Sequence, residues 1–168
     1  MPVKGKIYRG NLIDDPLSDE GMSSMIKSIE SKDFDLIVSS PMIRCLDFAK
    51  FLSKDMKIKL QIIDELKEIG FGDWQGKNAN QIGLKKIKEF KSNPLKFPVK
   101  NAESLDSFFN RVVSTYEKIV SEFKSYKNIL IVTHAGVIRA ILVHENNERL
   151  ENMYKIDIKN SELLKIQR

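Results

Sequence analysis

Apolar residues fall into short unbroken runs and into stripes of helical period. The clearest run is Ile129–Val132, rich in β-branched residues, the composition of a strand buried on both faces of a parallel sheet. Thr133, His134, Ala135 and Gly136 interrupt it, and residues 137–143 resume an apolar pattern broken only by Arg139. Strand, polar turn and helix in that order carry the turn to the carboxyl edge of an open α/β sheet, where ligands bind. A second short strand is expected at residues 35–39, followed by Ser40 and Pro41 opening a helix with Arg44 in its first turn and Phe48, Phe51 and Leu52 on its buried face. Residues 57–63 alternate in part through Ile58, Leu60 and Ile62 and read as a third strand. Residues 153–158 and 162–166 have strand character at the sheet edge.

Helical stripes separate these runs. Met22, Met25, Ile26 and Ile29 follow Ser18, a candidate N-cap. From Ser104 to about Ser125 the period of 3.6 holds through Phe108, Val112, Tyr116 and Ile119. Residues 1–21 are punctuated by glycine and proline and sustain no period. Residues 78–99 are lysine-rich and weakly helical, an excursion over one end of the sheet. Residues 64–76 differ in kind: a loop with three glycines, several acids and the aromatics Phe71 and Trp74, which it is expected to expose. Loops of that make-up are commonly binding or catalytic.

Composition narrows the class. With 168 residues, 42% hydrophobic and 30% charged, the chain is expected to form a single domain, residues 1–168, with a full core. Its net charge of +5 comes from scattered lysines. No basic cluster is interleaved with aromatics, so a nucleic-acid partner rests on net charge alone. One cysteine, Cys45, excludes an internal disulfide and fits a reducing compartment. No signal peptide or bilayer-length apolar stretch is present, and a cytoplasmic location with no membrane partner is expected. No cofactor or metal is expected, and the oligomeric state is unread.

The turn at His134 presents an imidazole beside the backbone N–H groups of Ala135 and Gly136 at a helix N-terminus, a place for an anion. The plainer reading is a histidine capping a helix. Arg44 reads equally as a surface arginine, and Glu65 and Glu68 as solvated charges.

Four segments in this order resemble the histidine phosphatase superfamily, the phosphoglycerate mutase-like family. SSPMIRCLDFA (residues 39–49) looks like its Ser-Ser-Pro motif with an arginine. LKEIGFGDWQG (66–76) looks like the loop bearing its general acid. NAESLDSFFNRV (101–112) resembles its Gly-Glu-Ser helix start, with Ala102 for glycine. IVTHAGVIRAIL (131–142) looks like its second-histidine motif. The opening PVKGKIYRGNLIDDPLSDEG most resembles the α-ribazole phosphatases within that family. The resemblance implies a three-layer α/β/α fold with a mostly parallel sheet. It also implies a phosphate pocket made by Arg44, His134 and the amide of Ala135, with Glu68 as general acid; Arg44, Glu68 and His134 are the catalytic candidates. Its substrate would be a small phosphorylated molecule, or inorganic phosphate as ligand.

The family's nucleophile, a histidine in Arg-His-Gly at the end of its first central strand, has no counterpart here. Only His134 and His144 are present, and Tyr8-Arg9-Gly10 follows no apolar strand. The chain is therefore expected to lack that strand and, as it stands, to be inactive or weakly active. The alternative is a non-catalytic phosphate-binding or interaction protein.

Overall fold

The apolar runs become strands because each has helices to bury against. The computed structural model describes residue 2 and residues 6–167. In chain order it holds α1 (Asp19–Ser28), β1 (Leu36–Ser39), α2 (Ile43–Met56), β2 (Lys59–Ile62), α3 (Ala79–Ile82), α4 (Leu84–Ser92), α5 (Leu105–Glu122), β3 (Ile129–Val132) and α6 (Ala135–Glu145). The strands form a parallel sheet in the order β2-β1-β3. Its middle strand is fully enclosed: Leu36, Ile37 and Val38 have no exposed surface, each contributing about 1.5–3 kcal/mol relative to an exposed side chain.

Alternate residues of the strands serve opposite layers. Ile37, Leu130 and Val132 pack with Ile29 of the chain after α1 and with Cys45, Phe48 and Leu52 of α2. Leu36 and Val38 pack with Phe108 and Val112 of α5 and Val137 and Ile141 of α6. This is the expected three-layer α/β/α arrangement. Register aligns Ser39 with Ile62 on one side and Val132 on the other, so the three carboxyl ends lie level. The outer edge of β3 has no ladder partner among the described residues. In keeping with that, Leu130 and Val132 are buried while Ile129 and Ile131 are only half-buried, not enclosed on both faces as their composition suggests.

Both N-cap expectations hold: Ser18 Oγ accepts the Gly21 N–H at 3.1 Å and Ser104 Oγ that of Ser107 at 3.1 Å. Other details differ. Ile26, Phe51 and Ile62 are exposed, because the sheet covers a narrower stripe of each element than hydropathy suggests. Residues 150–155 form a 3₁₀ helix (Leu150–Lys155) instead of a strand, and residues 162–166 join no sheet. Met153 is wholly buried in the core beside Ala140 and Val143 of α6, and Arg139 Nε donates to the Ile156 carbonyl at 2.8 Å. The segment is thereby tied to helices, where there is no ladder to join. Among the described residues, no helix is long and apolar enough to cross a membrane.

Candidate active site

Because β1 and β3 are parallel neighbours in register, the turns that follow them emerge side by side. His134 stands at the N-cap position of α6 with extended backbone (φ −113°, ψ 158°), yet its side chain caps nothing. The ring turns toward the other strand's end, with Nε2 2.8 Å from Ser40 Oγ. That oxygen also accepts the Met42 N–H at 3.3 Å. Cys45 Sγ lies 3.6 Å and 3.7 Å from the two ring nitrogens. Burial pushes the His134 pKa well below its ordinary 6.5, and the positive charges of Arg44 and Arg111 add to the effect. The imidazole is therefore neutral at neutral pH, and an anion bound beside it would offset those charges and favour its protonation.

Arg44 is buried, not a surface arginine. The helix carrying it begins at Ile43 with Met42 at the N-cap position, so Pro41 precedes the first turn instead of opening it. The cap comes from far away in sequence: Asp14 Oδ1 accepts the Ile43 N–H at 2.8 Å. Arg44 in turn donates to the carbonyls of Ile13 and Gly10, each at 3.1 Å. These bonds tie the irregular N-terminal loop to the start of α2 and use two of the five guanidinium N–H groups.

The loop of residues 64–76 comprises two 3₁₀ turns, Asp64–Leu66 and Gly72–Trp74. Between them, Glu68 points at the α6 N-terminus. Its Oε1 accepts the Ile69 N–H at 3.0 Å and its Oε2 the Gly136 N–H at 3.2 Å. The Gly136 amide is thus committed to this carboxylate, contrary to the expectation that it is open to an anion, although Gly136 lines the cavity together with Ala135. Glycine at 136 leaves room for this contact, since a Cβ there would stand 2.1 Å from Glu68 Oε1 and push the carboxylate aside. Burial raises the Glu68 pKa above 4.5, although both backbone N–H groups and the nearby arginines pull the other way. Glu65 remains exposed. Phe71 and Trp74 are half-buried, not exposed, and Tyr8 meets both edge-on with centroids 5.3 Å away.

A clamp holds this loop. Glu103 pairs bidentately with Arg111, both Oε atoms lying 2.9 Å from Nη2, and also accepts the Gly70 N–H at 3.1 Å. Arg111 donates to the carbonyls of Lys67, at 3.1 Å, and Glu65. No sequence signal pairs Glu103 with Arg111, because Glu103 stands outside α5, ahead of its N-cap Ser104, and Arg111 lies within the helix.

Arg44, Glu68, Thr133, His134 and Ala135 line one cavity of about 540 Å³ that continues along the open edge of β3. Two other candidates for chemistry drop away. The Cys45 thiol, pushed up to about 12 chiefly by burial, is no nucleophile. His144 sits at the far end of α6, its Nε2 2.6 Å from Glu117 Oε1. There Glu117, His144 and Glu145 bring three donor atoms within 4.8 Å of one another, apart from the cavity.

Comparison with known proteins points one way. A Hydrogenobacter thermophilus protein provisionally named phosphoserine phosphatase 2 is 31% identical over 166 residues, covering 95% of this chain and 80% of that one. The adenosylcobalamin/alpha-ribazole phosphatase of Escherichia coli is 30% identical over 112 residues, 65% of this chain and 55% of its own length. The crystal structure of the alpha-ribazole phosphatase from Shigella flexneri superposes with a TM-score of 0.74 at 25% identity, over 93% of this chain and 79% of that one. The family model of the histidine phosphatase superfamily (branch 1) matches residues 3–168. The chain belongs to that superfamily.

Proposed function

We propose that the cavity is a phosphomonoester site and that the chain's reaction class is phosphomonoester hydrolysis by a phosphohistidine route. One observation carries the reading: a carboxyl group whose pKa is raised by burial, Glu68, shares a cavity with a buried arginine and an imidazole at a helix N-terminus. Arg44 and the Ala135 amide hold the phosphoryl oxygens. His134, neutral in the free site, takes up a proton beside the bound anion and donates to it. Glu68 protonates the leaving oxygen as the bond from phosphorus to that oxygen breaks, and its carboxylate then takes a proton from the water that cleaves the phosphorus–nitrogen bond. In that route the attacking nitrogen belongs to the histidine of the family's Arg-His-Gly motif, which has no counterpart among the 168 residues, and neither His134 nor His144 fills the role.

The opening loop and two of the relatives named above favour a substrate of the α-ribazole phosphate kind. The second reading, a protein that binds phosphate without turning it over, leaves a protonatable carboxyl without a use. Calorimetry with inorganic phosphate or vanadate tests the site: Arg44→Ala weakens binding by about 1.5–3 kcal/mol, the worth of a hydrogen bond to a charged group. Equal affinity in both forms removes Arg44 from the pocket.

A further inference from the structure

We propose that Glu117, His144 and Glu145 form a binding site for a divalent transition-metal ion of the zinc class, which bridges α5 to the last turn of α6. The site lies at the opposite end of α6 from His134, and none of its three residues lines the cavity. It is independent of the phosphomonoester reading.

Glu117 belongs to α5, and His144 and Glu145 close α6. One donor atom from each, an imidazole nitrogen and two carboxylate oxygens, lies within 4.8 Å of the other two. Among the described residues, no other three histidine, cysteine or acidic side chains converge in this way. His144 Nε2 stands 2.6 Å from Glu117 Oε1, and the Tyr116 ring meets the imidazole edge-on at 6.5 Å and 82°. All three residues are half-buried, so an ion reaches them without the helices parting. The sequence gives no sign of the group, because 27 residues separate Glu117 from His144 and only the packing of α5 on α6 joins them.

An ion pair of Glu117 with His144 accounts for the shortest contact. A second carboxylate at the same point adds a like charge, which repels the first. A proton on the imidazole balances one carboxylate, whereas a dication beside a neutral imidazole balances both. The last carbonyls of α6 add partial negative charge on the same side. The donor set also chooses among cations. One nitrogen with two oxygens suits zinc and its first-row neighbours, while magnesium and calcium take oxygen ligands. Zinc stands about 2.0–2.2 Å from such ligands, so the 2.6 Å contact opens and the wider separations close as the glutamate side chains rotate. Water completes the fourth position. The bound ion would pin the end of α6 to α5, the helix that carries Arg111 of the loop clamp.

The test uses the tag-free 168-residue chain, dialysed against a chelator, with zinc chloride as the probe. The chain has two histidines, so nitrogen-15 spectra of the imidazoles read each one separately. Zinc is expected to move the His144 resonances and leave those of His134 in place. With zinc a hundredfold above its dissociation constant, the folding equilibrium moves about a hundredfold toward the folded state, read from the urea midpoint. Glu117→Gln and Glu145→Gln each weaken zinc binding by at least about tenfold, and magnesium does not displace the ion. Zinc affinity unchanged in Glu145→Gln overturns the site, leaving only an ion pair between the helices. Movement of His134 in place of His144 also overturns it, by putting the metal beside Cys45. So does the absence of any change in either imidazole of the parent chain, a result that needs no variant to fold.

Discussion

His134 and Glu68 are moved in opposite directions by the same burial, and both shifts favour the uncharged form. For His134 the folded pKa lies well below the unfolded value of 6.5. Below pH 6.5 the unfolded chain therefore binds a proton that the folded one refuses. The associated stability is complete above pH 6.5 and is lost as pH falls through the folded value, at up to about 1.4 kcal/mol per pH unit. Glu68 has the reverse sign: its contribution is complete below pH 4.5 and fades as pH rises through its raised folded value. Urea midpoints between pH 8 and pH 5 separate the two, since His134→Asn should flatten the fall below pH 6.5. An unchanged slope in that variant would assign the effect to other groups. Gly136 is a second test at this scale. Gly136→Ala puts a methyl group 2.1 Å from Glu68 Oε1, so the acid loses its place on the α6 N-terminus. A cost of about 1–3 kcal/mol is expected, read from the urea midpoint.

The loop that carries Glu68 is held in shape by its neighbours more than by its own turns. Glu103 stands just before Ser104, the N-cap of α5, and Arg111 in the second turn of that helix, yet their bonds reach Glu65, Lys67 and Gly70 on both sides of Glu68. The Glu103 N–H adds a further bond to the Gly70 carbonyl at 2.9 Å. Arg111→Gln removes a bidentate pair that is only about one quarter exposed. It is expected to cost about 1.5–3 kcal/mol and to speed amide exchange at Ile69 and Gly70 more than in α5. Exchange rising equally along α5 would show that the arginine supports the helix and not the loop. On the opposite layer, Asp14 caps α2 while Arg44 of α2 holds Gly10 and Ile13. Loop and helix thereby order one another.

For the molecule as a whole, the open edge of β3 governs what the 168 residues can do. A cavity with proposed phosphate donors and acid runs along that edge, while the second histidine lies ten residues beyond His134, on the order of 15 Å along α6. In-line attack from His144 is out of reach. The 168-residue chain is expected to show little turnover of a generic aryl phosphate. A version extended by an apolar strand ending in Arg-His-Gly is expected to restore it, with His134→Ala as the control. Robust turnover by the unextended chain, lost in His134→Ala, would falsify this and place the nucleophile elsewhere. An extended protein that folds and stays inactive favours phosphate binding without catalysis.

Local pattern sufficed for the parts of this protein whose physics is local. The runs at β1 and β3, the stripe of α5 and the serine caps at 18 and 104 are set by side-chain period and by backbone donors that a neighbouring hydroxyl can reach. The four motifs carried the family, because a phosphate pocket demands particular residue types in a particular order. Relations between segments far apart in sequence were decided only by the tertiary structure. Those include the neutral state of His134, set by burial and by Arg44 at the start of α2, and the loss of the Gly136 amide to Glu68. They also include the ring contacts that join residues 8, 71, 90 and 154. The terminal segment shows the limit most plainly: Met153 has strand character in sequence, but the site that could bury it lay between helices. Burial, charge and ladder pairing depend on which surfaces meet, and one-dimensional period carries no information about that.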